Sequence, residues 1–207
     1  MPAKKVAKVL GPEVSNGAKV AIESGIPFTL RARVRGVSPG LIMHAWNCEA
    51  IANLPGKGAK KKDDLETYVR RDDEGYLCIP GEYFRGSMIN AGRSRKDPRS
   101  SRKSMMDLLK AAVIPLTYLA PISPKSKEWP KVHKCRAVIQ RSAITRERPW
   151  WPEGWEAQID LQCIMPEYVS PTVFHDILVD AGRFVGVADY RPTYGRFQVI
   201  HSEILED

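Results

Sequence analysis

Strict alternation marks the stretch from Phe28 to Val37: Phe28, Leu30, Ala32 and Val34 fall on one side, and Thr29, Arg31, Arg33 and Arg35 on the other. A period of two with one apolar face predicts a half-buried β-strand. The period changes at Ile79-Pro80-Gly81-Glu82-Tyr83-Phe84-Arg85-Gly86. Pro80 and Gly81 end an apolar run, and Phe84, Ser87, Met88 and Ala91 then recur at i, i+3, i+4 and i+7, the spacing of a buried helix face that Gly92 would stop. Met105, Leu108, Leu109 and Ala112 predict a second helix, and Val113 to Leu119 a buried strand. Ser170 as N-cap and Pro171 as first helical residue open a third helix, with Val173, Phe174, Ile177, Leu178 and Ala181 on one face and Gly182 as its stop.

The weaker segments complete the pattern. Leu41 to Leu54 reads as a short helix, Tyr76 to Ile79 as a short strand, and Val132 to Thr145 with Glu156 to Met165 as two antiparallel strands. Two short strands are expected around Asp189 to Gly195, where Phe197 and Val199 alternate with Arg196 and Gln198. The order strand, helix, strand, strand, helix, strand predicts an α+β fold, a modified ferredoxin-like or RRM-like domain with an inserted charged loop or thumb. This single domain is expected over residues 27–207, with the insertion at 41–75, whose polar part from 55 to 75 is expected to be mobile. Residues 1–26, broken by Gly11-Pro12, Asn16-Gly17 and Gly25, are expected to form a flexible N-terminal arm.

Composition narrows the classes. A hydrophobic fraction of 43% over 207 residues supports a globular core. There is no apolar run of about eighteen residues and no apolar centre behind Met1-Pro2-Ala3-Lys4-Lys5, so the expectation is a cytoplasmic protein that no membrane holds. Cys48, Cys78, Cys135 and Cys163 form no C-x-x-C pair, which argues for reduced thiols and against a zinc ribbon.

The net charge of +8 is compatible with a nucleic-acid partner, and its distribution sharpens that reading. Arg31, Arg33 and Arg35 repel along one strand face unless an anion joins them, so the face is either ligand-facing or simply solvated. From Arg93 to Lys103, six cations (Arg93, Arg95, Lys96, Arg99, Arg102, Lys103) face the single acid Asp97, a loop expected to attract a polyanion and to order with it. A further basic zone from Lys125 to Arg148 ends in Pro149-Trp150-Trp151-Pro152-Glu153-Gly154-Trp155. Trp150 and Trp151 beside arginines suit base stacking, or a turn packed on the core.

Catalytic and metal chemistry finds little footing. His44 follows a strand-turn segment where a general base could act, but no acid partner is identifiable in the sequence, and His133, His175 and His201 are no better placed. His44 and Cys48 share an i, i+4 spacing without two further zinc ligands. Asp63-Asp64 and Asp72-Asp73-Glu74 lie among cations and read as a self-neutralised loop. No phosphate-cradling G-x-x-x-x-G-K-[ST] sequence occurs. The expectation is a protein without enzymatic activity, cofactor or metal.

Two motifs resemble a known family. Ile79 to Gly86 is similar to the Ile-Pro-x-x-x-hydrophobic-Lys/Arg-Gly start of the first helix in the RAMP superfamily, especially the backbone subunits of CRISPR effector complexes. Gly182-Arg183-Phe184-Val185-Gly186-Val187, followed by Arg191 to Phe197, resembles that superfamily's C-terminal glycine-rich loop. The resemblance implies an RRM-like palm with a thumb-like hairpin, polymerising along a guide RNA gripped through its phosphates. It places Tyr83 to Ser87 with Arg85, and the glycine-rich loop with Arg191 and Arg196, against the RNA backbone. Together with the charge pattern, the expected grip is Arg31, Arg33, Arg35, Arg85, Arg93, Arg95, Arg99, Arg191 and Arg196, with Trp150, Trp151 or Tyr194 stacking on bases. The expected partners are single-stranded nucleic acid, RNA foremost, copies of the same chain and other effector-complex subunits.

Val34 to His44 together with the two motifs is also similar to uncharacterised proteins of tailed phages and prophages, which implies a single-stranded DNA binding or annealing protein. The residues leave room for a metal-independent RAMP ribonuclease using His44, and for an arginine face that binds an acidic protein.

Overall fold

The computed structural model describes residues 6–9, 25–45, 47–52, 64–139 and 142–205. Its strands are β1 (Val6–Val9), β2 (Phe28–Gly36), β3 (Leu41–Ile42), β4 (Arg70–Arg71), β5 (Leu77–Pro80), β6 (Lys96–Asp97), β7 (Ser100–Ser104), β8 (Val113–Pro115), β9 (Leu119–Pro121), β10 (Lys131–Ile139), β11 (Ser142–Trp151), β12 (Glu156–Cys163) and β13 (Phe197–Leu205). Its helices are α1 (Cys48–Ala52), α2 (Gly81–Ala91), α3 (Met106–Ala112) and α4 (Pro171–Asp180). Among the described residues no helix is long and apolar enough to cross a membrane.

The alternation in β2 places Leu30, Ala32 and Val34 at 0% exposure, in the middle of an antiparallel sheet ordered β1-β13-β2-β12-β8. Without β1, these are the fourth, first, third and second strands of a βαββαβ unit. α2 and α3 form the crossover from β2 to β8, and α4 the crossover from β12 to β13. The fold is therefore α+β of the ferredoxin-like or RRM-like kind. Phe84 of α2 meets Phe197 of β13, and Phe174 of α4 meets Phe28 of β2, each pair edge-to-face with ring centroids 5.5 Å apart. These contacts fix both helices on the apolar face of the sheet.

Several local expectations changed for identifiable reasons. Leu41 and Ile42 do not open a helix: they pair as β3 with Trp151 and Trp150 of β11, and helix begins only at Cys48. The acids at 64 to 75 organise turns. Asp64 caps a 3-10 turn, Leu65–Tyr68, by accepting from the Glu66 amide, and the Asp72 carboxylate accepts from the Glu74 and Tyr76 amides. The stretch from 53 to 63 lies outside the described residues.

Val132 to Thr145 is not one strand paired with Glu156 to Met165. β10 and β11 form a hairpin of their own, joined to β3, while β12 pairs with β2 and β8. The reason is visible in β12, whose alternate residues Ala157, Ile159, Leu161 and Cys163 are all buried and belong inside the main sheet. α4 carries its Ser170 cap, but the chain continues past Gly182 as a π-turn, Ala181–Val185. A Cβ at Gly182 would lie 2.2 Å from the Phe197 carbonyl oxygen, so this glycine serves close packing instead of termination. The residues before Phe197 form a loop, and β13 is the one strand there. Of the expected N-terminal arm, Val6–Val9 lies along β13 as an edge strand; 1–5 and 10–24 lie outside the described residues.

The basic stretch after α2 also has structure of its own. β6 and β7 form a hairpin whose turn is held by Asp97, 4% exposed, accepting from the Arg99 backbone amide (2.8 Å) and from its guanidinium Nε (3.0 Å) and Nη2 (2.7 Å). The Arg99 guanidinium holds the Asp97 carboxyl at about 2, well below its ordinary value.

Candidate nucleic-acid interface

The start of α2 and the loop from 186 to 195 face each other across a groove of about 370 Å³, lined by His44, Glu82, Tyr83, Gly86, Asn90, Ala188, Asp189 and Arg191. Glu82, Tyr83, Gly86 and Asn90 follow an i, i+1, i+4, i+8 spacing, a helix face separate from the one that buries Phe84, Met88 and Ala91. The loop wall is held by backbone. Val187 N–H donates to the Gly195 carbonyl (2.9 Å), Gly195 N–H to the Gly40 carbonyl (2.8 Å) and Asp189 N–H to the Ile42 carbonyl (3.0 Å). Gly195 has φ +76°, and a Cβ there would lie 1.8 Å from the Val187 carbonyl oxygen. Only glycine closes this loop without displacing it.

The groove's charges divide into engaged and open groups. Tyr83 donates its hydroxyl to the His44 carbonyl at 2.7 Å. Burial pushes the Tyr83 phenol up to about 12, against the opposing influence of the nearby Arg70 and Arg191 guanidiniums. Neither Arg70 nor Arg191 forms an ion pair among the described residues. Asp189, by contrast, has its Oδ2 3.7 Å from Arg148 Nε and 3.8 Å from His44 Nδ1. Arg148 is 8% exposed and lies over the Tyr68 ring at 3.8 Å. The loop's own acid is thus held from inside the protein, while Arg191 lines the groove without an ion pair among the described residues and Glu82 lies exposed at the helix start.

The other expected contact residues are dispersed. On the open sheet face, Arg31 makes a bidentate pair with Asp160 (2.8 and 2.7 Å), Arg35 binds Glu156 (2.8 and 2.6 Å), and Arg33 lies 3.8 Å from the same Glu156. The anion that three like charges require is supplied by β12, across the sheet. Arg33 keeps 55% of its side chain exposed, beside a hollow of about 350 Å³ that it shares with Arg31, Gln158, His201 and Glu203.

Arg85 points away from the groove and clasps the end of α3, donating to the Val113 (2.9 Å) and Lys110 (2.8 Å) carbonyls. A cation there complements the C-terminal end of the helix dipole. Arg85→Met is accordingly expected to lower stability by about 1–3 kcal/mol, read as a fall in melting temperature, while leaving strand affinity within about twofold of wild type. Arg93, Arg95 and Arg99 follow the C-terminal end of α2, beyond Asn90, and none of them lines the groove. Arg95 is committed to Asp180, Arg99 to Asp97, and Arg93 touches the Met106 sulfur at 3.4 Å.

Trp151 is 6% exposed and has no open face for a base, a correction to its expected stacking role. Trp150 donates its Nε1–H to the Pro39 carbonyl (3.2 Å), and Lys131 Nζ lies 5.1 Å from its ring centroid. Arg196 donates to the Ser38 carbonyl at 3.0 Å. Tyr194 packs against His133 of β10. Sequence reasoning missed Arg70, Arg148, Asp189 and Tyr190. The Asp189 to Gly195 cluster of turn residues was a usable signal for the last two; Arg70 and Arg148 carried none that separates them from other cations. Among the described residues no group of three His, Cys, Asp or Glu side chains could hold a metal.

No family model matches the sequence, and no curated protein matches it. Among solved structures, the chain is similar to a chain in the cryo-EM structure of the Type III-B Cmr-beta bound to cognate target RNA, with a TM-score of 0.52 and 10% identity. The similarity covers 87% of this chain and 61% of that one, so this chain spans about three fifths of its neighbour's length. At such identity the likeness is one of fold.

Proposed function

We propose that the chain is a non-catalytic subunit that binds single-stranded nucleic acid, RNA foremost, in the groove between α2 and residues 186–195, and that copies assemble side by side along the strand. One observation carries this reading. Glu82, Tyr83 and Gly86 of the first family-like motif and Arg191 of the second, about a hundred residues apart in sequence, line one groove, and Arg70 lies near its Tyr83. The fold similarity to a chain of an RNA-bound structure supports it. A helix start without a side-chain cap, a partly exposed backbone at Gly86 and the Arg191 guanidinium together suit a phosphodiester.

Affinity for a single strand of about thirty nucleotides should fall more than tenfold between about 50 and 300 mM salt. A flat response would overturn the proposal. Competition between RNA and DNA of one sequence separates an RNA reader from a DNA-annealing protein, since RNA alone offers a 2′-hydroxyl. Absorbance at 260 against 280 nm in the first purification fraction tests whether the arginine face binds an acidic protein instead, which requires no bound nucleic acid.

Gly86 gives a further check. A Cβ at Gly86 would meet nothing within 4 Å, so the fold itself does not require glycine there. Gly86→Ala should raise stability by about 0.5–1 kcal/mol, through helix propensity, and still weaken strand binding because the methyl projects into the groove. Thermal melts and anisotropy on the same preparation separate the two effects.

A second reading has its own observation. His44, which lacked an acid partner in the sequence, has its Nδ1 3.8 Å from Asp189 Oδ2 within the groove. A carboxylate beside a histidine can orient it as a general base toward a ribose hydroxyl. Labelled RNA incubated with wild type and His44→Ala decides this: no cleavage by wild type ends the ribonuclease reading.

A further inference from the structure

Tyr190 occupies backbone that tyrosine rarely adopts. Its φ is +54°, two residues after Ala188 at +64°, both in the left-handed region. Such strain persists only where the surrounding structure imposes it, and it concentrates where it places a functional group. Its effect here is specific. Asp189 and Arg191 line the groove, while the Tyr190 side chain between them turns to the β10–β11 hairpin and meets the Cys135 sulfur through its hydroxyl. The ring is backed by His133 (centroids 5.6 Å apart) and Tyr194 (6.4 Å), and these two are 5.4 Å from each other. Tyr190 nevertheless keeps 40% of its surface exposed. Exposed Lys134 and Arg136 flank Cys135 on the same strand.

We propose that Tyr190, backed by Tyr194 and His133, is a stacking platform for one unstacked nucleobase of the strand whose phosphate lies at Arg191. The inference rests on the strand-binding reading of the groove and extends it from the backbone to the bases. A rigid aromatic face beside a guanidinium is the arrangement that single strands use, and it is tolerant of sequence because every base offers a π-face. The hydrogen bond with Cys135 and burial push the Tyr190 phenol up to about 12, so the ring is neutral at physiological pH. The hairpin thereby holds the ring of the residue that directly precedes Arg191.

The test uses Tyr190→Gly and Tyr190→Phe in the full chain, with anisotropy of a labelled strand of about thirty nucleotides at several salt concentrations. Glycine removes the ring and also relieves the left-handed strain, which favours retention of the fold. Tyr190→Gly is expected to weaken binding by about fivefold to a hundredfold with an unchanged salt slope, while Tyr190→Phe stays within about twofold of wild type. Wild-type affinity in Tyr190→Gly overturns the stacking proposal alone. So does an affinity loss that brings a shallower salt slope or a lost far-UV signal at the assay temperature, since either marks a displaced loop. Tyr190→Phe binding as weakly as Tyr190→Gly assigns the effect to the hydroxyl and also overturns it. A wild type that binds no strand overturns the groove reading and this inference together.

Discussion

Gly195→Ala is expected to destabilise the protein by about 3–5 kcal/mol and to abolish strand binding. A left-handed backbone costs a residue with a Cβ about 1–2 kcal/mol. The larger part comes from collision: with the Val187 carbonyl oxygen 1.8 Å from the new Cβ, the loop must open. Opening it breaks the bonds from Val187 to Gly195 and from Gly195 to Gly40, each worth about 1 kcal/mol net. At about 2–4 °C per kcal/mol for a chain of this size, the melting temperature should fall by roughly 6–20 °C. Gly154→Ala is the control for backbone strain alone. Gly154 has φ +88° with nothing within 4 Å of its would-be Cβ, so only the conformational cost of about 1–2 kcal/mol applies. If both variants melt together, the loop is not closed as described. If Gly195→Ala folds at a lower temperature and still binds below it, the loop is not a wall of the binding site.

Local signals predicted the core well and the partners of the charged side chains poorly. β2 and α4 could be read because their information is short-ranged: alternation in one, and in the other Ser170, Pro171 and a stripe of apolar residues. The hairpin could not. Gln140 and Arg141, between its strands, carry none of the residues that mark a turn, so 132 to 145 reads as one strand. The arginine face failed for a different reason. Arg31 and Asp160 are 129 residues apart, and only the register of β12 against β2 brings them opposite each other. Alternation shows which side of a strand a charge takes and says nothing about what the next strand places beside it. The same limit applies to Arg95 with Asp180 and Arg148 with Asp189. Net positive charge therefore overstated the number of available cations, and the two motifs located the groove better than the charge runs did.

That difference sets the second large effect. Arg70→Glu with Arg191→Glu is expected to weaken strand binding by about a hundredfold or more at low salt, and to make the salt slope shallower by about 1.4, the value for two lost contacts with single-strand phosphates. Each single alanine change should cost about five- to twentyfold. The two will not add independently if one phosphate bridges them across Tyr83, so the double-mutant cycle itself measures whether they share it. Arg31→Ala with Arg35→Ala removes two charges, as Arg70→Ala with Arg191→Ala does, and these two double variants are the matching comparison. Those guanidiniums already hold Asp160 and Glu156, with 37% and 48% of their side chains exposed, so their loss should cost about 1 kcal/mol of stability each and little affinity. If binding instead tracked net charge, both double variants would weaken it by removing cations. A large loss confined to Arg70 and Arg191 requires the strand to lie in the groove at the start of α2. A large loss confined to Arg31 and Arg35 would move it to the open face of the sheet.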